Sequence, residues 1–180
     1  DVYKRQEYIK LNPNHVVPTL ICDEKILVES SLILEFLEDK FPEKSARSNI
    51  PEEIHQMRLW MKTIDAYHIH GGSITYGIGV RNILILKPKD ELDKEIDEIP
   101  DLEKRENRRD LIENGLEAKC VIEGLKQSKI LMDKLELGLK DREWFSGSKF
   151  GLADASIFPY VLRWEPVSYT HLTLPTRLLV

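Results

Sequence analysis

The chain has 180 residues, a formal net charge of −5 and 42% apolar residues, enough for one ordinary core or two small ones and unlike a disordered sequence. With 31 Asp and Glu against 26 Lys and Arg, it lacks the positive footprint of a nucleic-acid binder or of a protein held on an anionic membrane, so a small molecule is the expected partner. Cys22 and Cys120 stand apart without disulfide or zinc spacing, and no apolar run approaches the roughly 20 residues of a bilayer span; the sequence reads as a cytoplasmic protein with two reduced, buried thiols.

Residues 1–6 follow no helix or strand pattern, nor do residues 167–180. Both segments look like translated sequencing-adapter sequence, read as non-native, and are set aside from fold reasoning. The turn signal Asn12-Pro13-Asn14-His15 opens a short β-rich run from Val16 to Cys22, interrupted by Pro18. Proline cannot donate to a ladder, so Pro18 belongs at an edge, a strand start or a bend where a cis bond is used. Asp23 and Glu24 make a two-residue turn, and Lys25 to Val28 is the return strand of an antiparallel hairpin. From Ser30 the period changes to about 3.6, with Ile33, Phe36, Leu37 and Phe41 on one face, Ser30 or Ser31 as cap and Pro42 as stop.

The polar stretch that follows is a natural boundary. Beyond it Pro51, Glu52 and Glu53 suit a first helical turn, and Ile54, Met57, Trp60, Met61, Ile64 and Tyr67 mark a long amphipathic helix. Gly71 to Leu86 is apolar but broken by glycines, compatible with an irregular helix or a loop. Pro88 and Pro100 bracket an acidic connection, after which Val121, Leu125, Met132, Leu135 and Leu139 mark a second long helix. Trp144-Phe145-Ser146-Gly147 is a turn, and Leu152 to Trp164 an apolar helix with Asp154 in its first turn. The order is strands first, helices afterwards.

In this order the features resemble the glutathione transferase superfamily over residues 7–166. Four pieces carry the likeness: Asn12 to Leu20 with its Val17-Pro18; Glu29-Ser30; Trp144 to Gly147 followed by Phe150-Gly151-Leu152-Ala153-Asp154; and Arg58 with Trp60 after the boundary. The resemblance implies an α+β fold. Its partial thioredoxin-like domain, the C-terminal ββα portion, covers 7–42; a linker occupies 43–50; an all-helical glutathione-transferase C-terminal domain covers 51–166. It further implies that Pro18 is cis and that the Val17 backbone pairs with the cysteinyl part of glutathione. Glu29 and Ser30 would hold the γ-glutamyl end, and His15 would lie near the glycine end. Helix physics agrees for Ser30, since a ligand carboxylate at a helix N-terminus meets unsatisfied N–H groups and the positive end of the macrodipole. The family usually has Ser or Thr where this chain has Gly151, so the expected capping box around Asp154 is only half made. The stretch from Gly71 to Arg105 is similar to bacterial members related to β-aryl etherases and reductive dehalogenases.

Blander readings stand beside these. Ser30 alone would be a helix cap, His15 a surface turn residue, and Pro18 the end of an edge strand. His68 and His70, two apart on a helix, point to different sides and do not suit a shared metal. Tyr67, Tyr76 and Trp60 could line an electrophile pocket but at helical spacing are usually core. Cys22, on a strand, reads as packing. The expected function is transfer of the glutathione thiolate to an electrophilic small molecule, with glutathione as co-substrate, no metal or redox cofactor, and a homodimer as the intact protein. The hydroxyl or thiol that activates glutathione lies, in the family, ahead of the part matched here; no catalytic residue is named and this chain alone is expected to be inactive. The alternatives are a non-catalytic glutathione-binding or assembly module and a glutathione-dependent β-etherase or dehalogenase.

Overall fold

Two four-residue strands, Thr19–Cys22 (β1) and Lys25–Val28 (β2), pair antiparallel in the register Thr19↔Val28, Leu20↔Leu27, Ile21↔Ile26 and Cys22↔Lys25. Asp23 and Glu24 take φ of 49° and 65°, the left-handed pair that a two-residue type I′ hairpin requires. β1 begins later than the apolar run that starts at Val16, because Pro18 has no N–H for the ladder. The computed structural model describes residues 2–14 and 16–168, with side chains from 6 to 164 apart from residue 15.

A helix unforeseen in the sequence precedes the hairpin. Val2–Leu11 (α1) includes residues 2–6, which the apolar period left outside any element. Its polar text carries no clear stripe, and Tyr8, Ile9 and Leu11 are half-buried beside a fully buried Asn12. After β2 the chain turns directly into Ser30–Lys40 (α2). Here the expected serine cap is corrected. One residue must redirect the strand into the helix, so Glu29 holds the N-cap position at φ 69° and ψ 106°, without a side-chain cap hydrogen bond. Ile33 is buried and Phe36 and Leu37 half-buried, whereas Phe41 has left the helix and is exposed.

Contact density divides the chain into two units, one of residues up to Met61 with Arg142–Pro159, the other of Lys62–Asp141 with the chain from Tyr160 on. In the first, the opening turns of the long helix Pro51–Thr75 (α3) bury Met57 and Met61. Trp60 meets Phe145 edge to face at 4.8 Å. The start of Leu152–Ser168 (α8) is tied down by Asp154, which accepts from the N–H groups of Phe145, Ser146 and Gly151 at 2.8, 3.2 and 3.0 Å. The missing hydroxyl is supplied from elsewhere: Ser146 Oγ accepts from Ala153 N at 3.0 Å. A Cβ at Gly151 would lie 2.7 Å from both Ala46 O and Ser146 Cβ, so a serine there would collide with its own substitute. The capping box is complete, with its hydroxyl moved along the chain.

In the second unit the glycine-rich stretch continues the helix. α3 passes into a π-helical segment, Tyr76–Val80, and then Arg81–Leu84 (α4). The acidic connection holds two helices that its sparse apolar residues concealed. Lys89–Asp97 (α5) buries only Leu92 and Ile96; Leu102–Asn114 (α6) is capped by Asp101, whose carboxylate accepts from Lys104 N at 2.9 Å, and closes at Gly115 with φ 61°. Lys119–Gly138 (α7) follows as expected, but its buried face runs through Gly124, Ser128 and Leu131, and Leu125 is turned outward. The reason is close helix approach: a Cβ at Gly124 would sit 2.8 Å from His70 O, and Ser128 Oγ meets Tyr67 OH at 2.5 Å. Among the described residues no helix is long and apolar enough to cross a membrane.

Candidate functional site

The hairpin register decides which candidate residues meet. Thr19 opposes Val28 at the open end, so the residues preceding β1 and following β2, Val17-Pro18 and Glu29-Ser30, emerge at the same end of the ladder. Directly paired strand residues have Cα atoms about 4.5–5.5 Å apart. Val17–Pro18 is cis, as the resemblance implied. Val17 is 78% exposed, and its backbone N–H and C=O make no hydrogen bond with another described residue. Glu29 and Ser30 are also exposed, at the positive end of the α2 dipole. The positive φ of Glu29 belongs to the sparsely populated region that costs a non-glycine residue about 1–3 kcal/mol and is concentrated at binding sites. His15 lies outside the described residues.

Residues that the sequence did not single out hold the loop. Asn12, 1% exposed, donates from Nδ2 to Val16 O at 2.8 Å and to Thr19 Oγ1 at 3.3 Å, while its Oδ1 accepts from Asn14 N at 3.1 Å. Tyr8 OH donates to Val16 O at 2.6 Å and shares a hydrogen bond with Thr19 Oγ1 at 2.8 Å. The available signal was Asn12 at the head of a turn; Tyr8, in an unforeseen helix, had none. Behind the site, buried Glu38 takes Ser45 Oγ, Ala46 N and Arg47 N at 2.5, 3.0 and 3.1 Å and fixes the exit from α2. Arg58 grips Glu35 with two bonds of 2.7 Å and, with Arg47, holds that carboxyl below its ordinary range against the opposing effect of burial.

The remaining candidates have structural settings. Tyr67 is buried, and burial pushes its phenol up; Tyr76 lies under Arg108 beside the Leu111, Ala118 and Val121 core, and Trp60 packs on Phe145. His68 Nδ1 meets Tyr160 OH at 2.5 Å, whereas His70 lies near the ring of Tyr67. The thiols are not buried as expected. Cys22 is half-exposed at the turn end of the hairpin with Lys40 Nζ 2.9 Å from its sulfur, because α2 lays Lys40 across the turn; the half-buried Cys120 has its thiol pushed up chiefly by burial. Cys22, Lys25, Phe36 and Lys40 line an open depression of about 350 Å³ there, away from Val17 and Ser30 in the ladder.

Comparison with known proteins agrees with this geometry. Residues 1–45 match the model of the glutathione S-transferase N-terminal domain, a match that takes in residues 1–6. The chain is 28% identical over 152 residues to LigF of Sphingobium sp. strain SYK-6, covering 83% of this chain and 59% of LigF. It is 25% identical over 173 residues to glutathione S-transferase GstB of Escherichia coli K12, covering 89% of this chain and 67% of that protein. The crystal structure of the β-etherase LigF superposes with a TM-score of 0.78 at 27% identity, over 90% of this chain and 70% of the other. The chain thus spans 59% of the length of LigF. From the hairpin and its helix to the capped start of α8, these relationships agree: the chain is similar in sequence and fold to glutathione S-transferases and to LigF, and its first 45 residues match the glutathione S-transferase N-terminal domain.

Proposed function

We propose that this protein binds glutathione at the open end of the hairpin and serves transfer of its thiolate to an electrophilic small molecule. The observation that carries the reading is the register, with Val17-Pro18 and Glu29-Ser30 side by side. The exposed Val17 backbone suits an extended peptide paired in β fashion. The first N–H groups of α2 and the Ser30 hydroxyl suit the γ-glutamyl carboxylate, and Glu29 suits its ammonium group. His15 is assigned to the glycine end from the resemblance alone. These residues hold and orient the tripeptide, converting a bimolecular encounter into reaction between positioned groups; none is assigned the activation of the thiol. Glutathione is the co-substrate and the chemistry calls for no metal or redox group. On the same reading the protein is a cytoplasmic homodimer, with a glutathione domain at 7–42 joined by 43–50 to a helical domain at 51–166.

Similarity to the β-etherase LigF favours a second reading of the same site. The thiolate would attack the carbon bearing an aryl ether, forming the C–S bond as the C–O bond breaks and the phenolate leaves. Measuring phenol release from an aryl ether against conjugation of an aromatic halide separates the two. Binding itself is tested by calorimetric titration with glutathione. Ser30→Ala removes one hydrogen bond to a charged group, about 1.5–3 kcal/mol or at least tenfold in affinity. Unchanged affinity in a folded variant removes Ser30 from the site.

A further inference from the structure

Tyr8, in the last turn of α1, and Asn12, the residue that follows the helix and closes it through Asn12 N to Tyr8 O at 2.9 Å, reach the same two acceptors, Val16 O and Thr19 Oγ1. The donors balance. Tyr8 OH and Asn12 Nδ2 fill both lone pairs of Val16 O, the second proton of Nδ2 serves Thr19 Oγ1, and the threonine hydroxyl returns its own proton to Tyr8. Asn14 N, donating to Asn12 Oδ1, fixes which way the amide faces. The network is complete around a side chain 1% exposed.

Its consequence falls on the next residue. Val16 C=O and Val17 N–H belong to one planar trans peptide unit. In such a unit the N–H points opposite to the C=O. Gripping the carbonyl from α1 therefore directs the Val17 N–H away from α1, where no described residue accepts it. A carbonyl that accepts two hydrogen bonds also polarises its own amide, strengthening its donor by about 10–30% per bond.

We propose that Tyr8 and Asn12 are positioning residues that aim the Val17 N–H and raise its donor strength toward a bound extended peptide, which, resting on the reading above, is glutathione. Thr19 completes the grip by holding the two side chains on a common acceptor.

The test follows the Val17 amide by two-dimensional ¹⁵N–¹H spectroscopy of the full chain, with and without glutathione, in the unaltered protein, Tyr8→Phe and Asn12→Ala. Tyr8→Phe keeps the ring and removes one of the two bonds to Val16 O. The Val17 amide proton should move upfield in the free protein, and glutathione affinity should fall about two- to tenfold, the net worth of a single hydrogen bond. Asn12→Ala should do the same and more; if it does not fold, Tyr8→Phe carries the test. A Val17 amide that moves in the variants of a protein that does not bind glutathione supports the grip and overturns the ligand assigned above. An unmoved Val17 amide in folded Tyr8→Phe, whether or not affinity changes, overturns the proposal and leaves Tyr8 a packing residue.

Discussion

Replacing Asp154 by alanine should unfold the first unit more readily than any surface change. The carboxylate is buried and accepts three backbone N–H groups at 2.8, 3.0 and 3.2 Å. Each bond to a charged acceptor is worth about 1.5–3 kcal/mol, and each abandoned buried donor costs about 1–3 kcal/mol. The three donors lie in a turn that can relax toward water, so the net loss is set at about 3–4 kcal/mol rather than the simple sum. At about 2–4 °C per kcal/mol for a chain of this size, the melting temperature falls by about 6–16 °C. Asp154→Asn keeps one acceptor oxygen but turns an NH₂ toward a backbone donor, and should lose about 1.5–3 kcal/mol. Ser146→Ala, which frees only Ala153 N, should lose about 1 kcal/mol. Urea titration followed by tryptophan emission reports on this unit, because Trp144 and Trp60 contact Phe150 and Phe145 at 5.4 and 4.8 Å. A loss below about 1 kcal/mol for Asp154→Ala, or the same loss for all three variants, would show that the carboxylate does not hold this turn.

Gly151→Ser should destabilise by about 1–3 kcal/mol by overpacking against Ala46 O and Ser146, although the family resemblance favours a hydroxyl there; urea midpoints decide it. Arg58→Gln should cost about 0.5–1 kcal/mol at neutral pH. Glu35 is held low in the fold, so its contribution is present above its unfolded pKa and lost as pH falls through the lower folded one; the difference between the two proteins should vanish in acid denaturation midpoints. Tyr67 and Tyr160 are pushed up by burial, so stability is full below their unfolded range near 10 and falls as pH rises above it, which urea midpoints at pH 8 and 11 measure. Ser128→Ala, which removes the acceptor of the buried Tyr67 hydroxyl proton, should cost about 1–3 kcal/mol, more than Tyr67→Phe, which leaves Ser128 its bond of 2.8 Å to Gly124 O.

The parts of the fold legible in the sequence are those where local chemistry and burial agree. Asp23-Glu24 between two apolar runs specified the hairpin, and the apolar residues of α2 and α7 appeared at helical spacing. Legibility failed where burial needs few apolar residues. α5 needs only Leu92 and Ile96, and α6 buries Leu111 alone, so acidic text concealed two helices whose punctuation, Asp101 and Gly115, was present. On α7 the close approach of a neighbouring helix required Gly124 inside and turned Leu125 out, which a count of apolar residues cannot anticipate. Val17, Pro18, Glu29 and Ser30, the proposed glutathione contacts, were singled out through their motif. Tyr8 was not, since its role depends on a three-dimensional meeting with Val16 and Thr19. Gly151 shows the same limit: the displaced hydroxyl of Ser146 becomes visible only when the turn is folded.

Whether glutathione occupies the open end of the hairpin is read by titration of the ¹⁵N-labelled chain with glutathione. The amides of Val17 and of Glu29 through Leu32 should shift together and saturate with a single affinity, while those around Cys22 and Lys40 at the other end stay in place. Shifts centred on Cys22 and Lys40, or no saturable shift at Val17 and Ser30 in a folded chain, would contradict it.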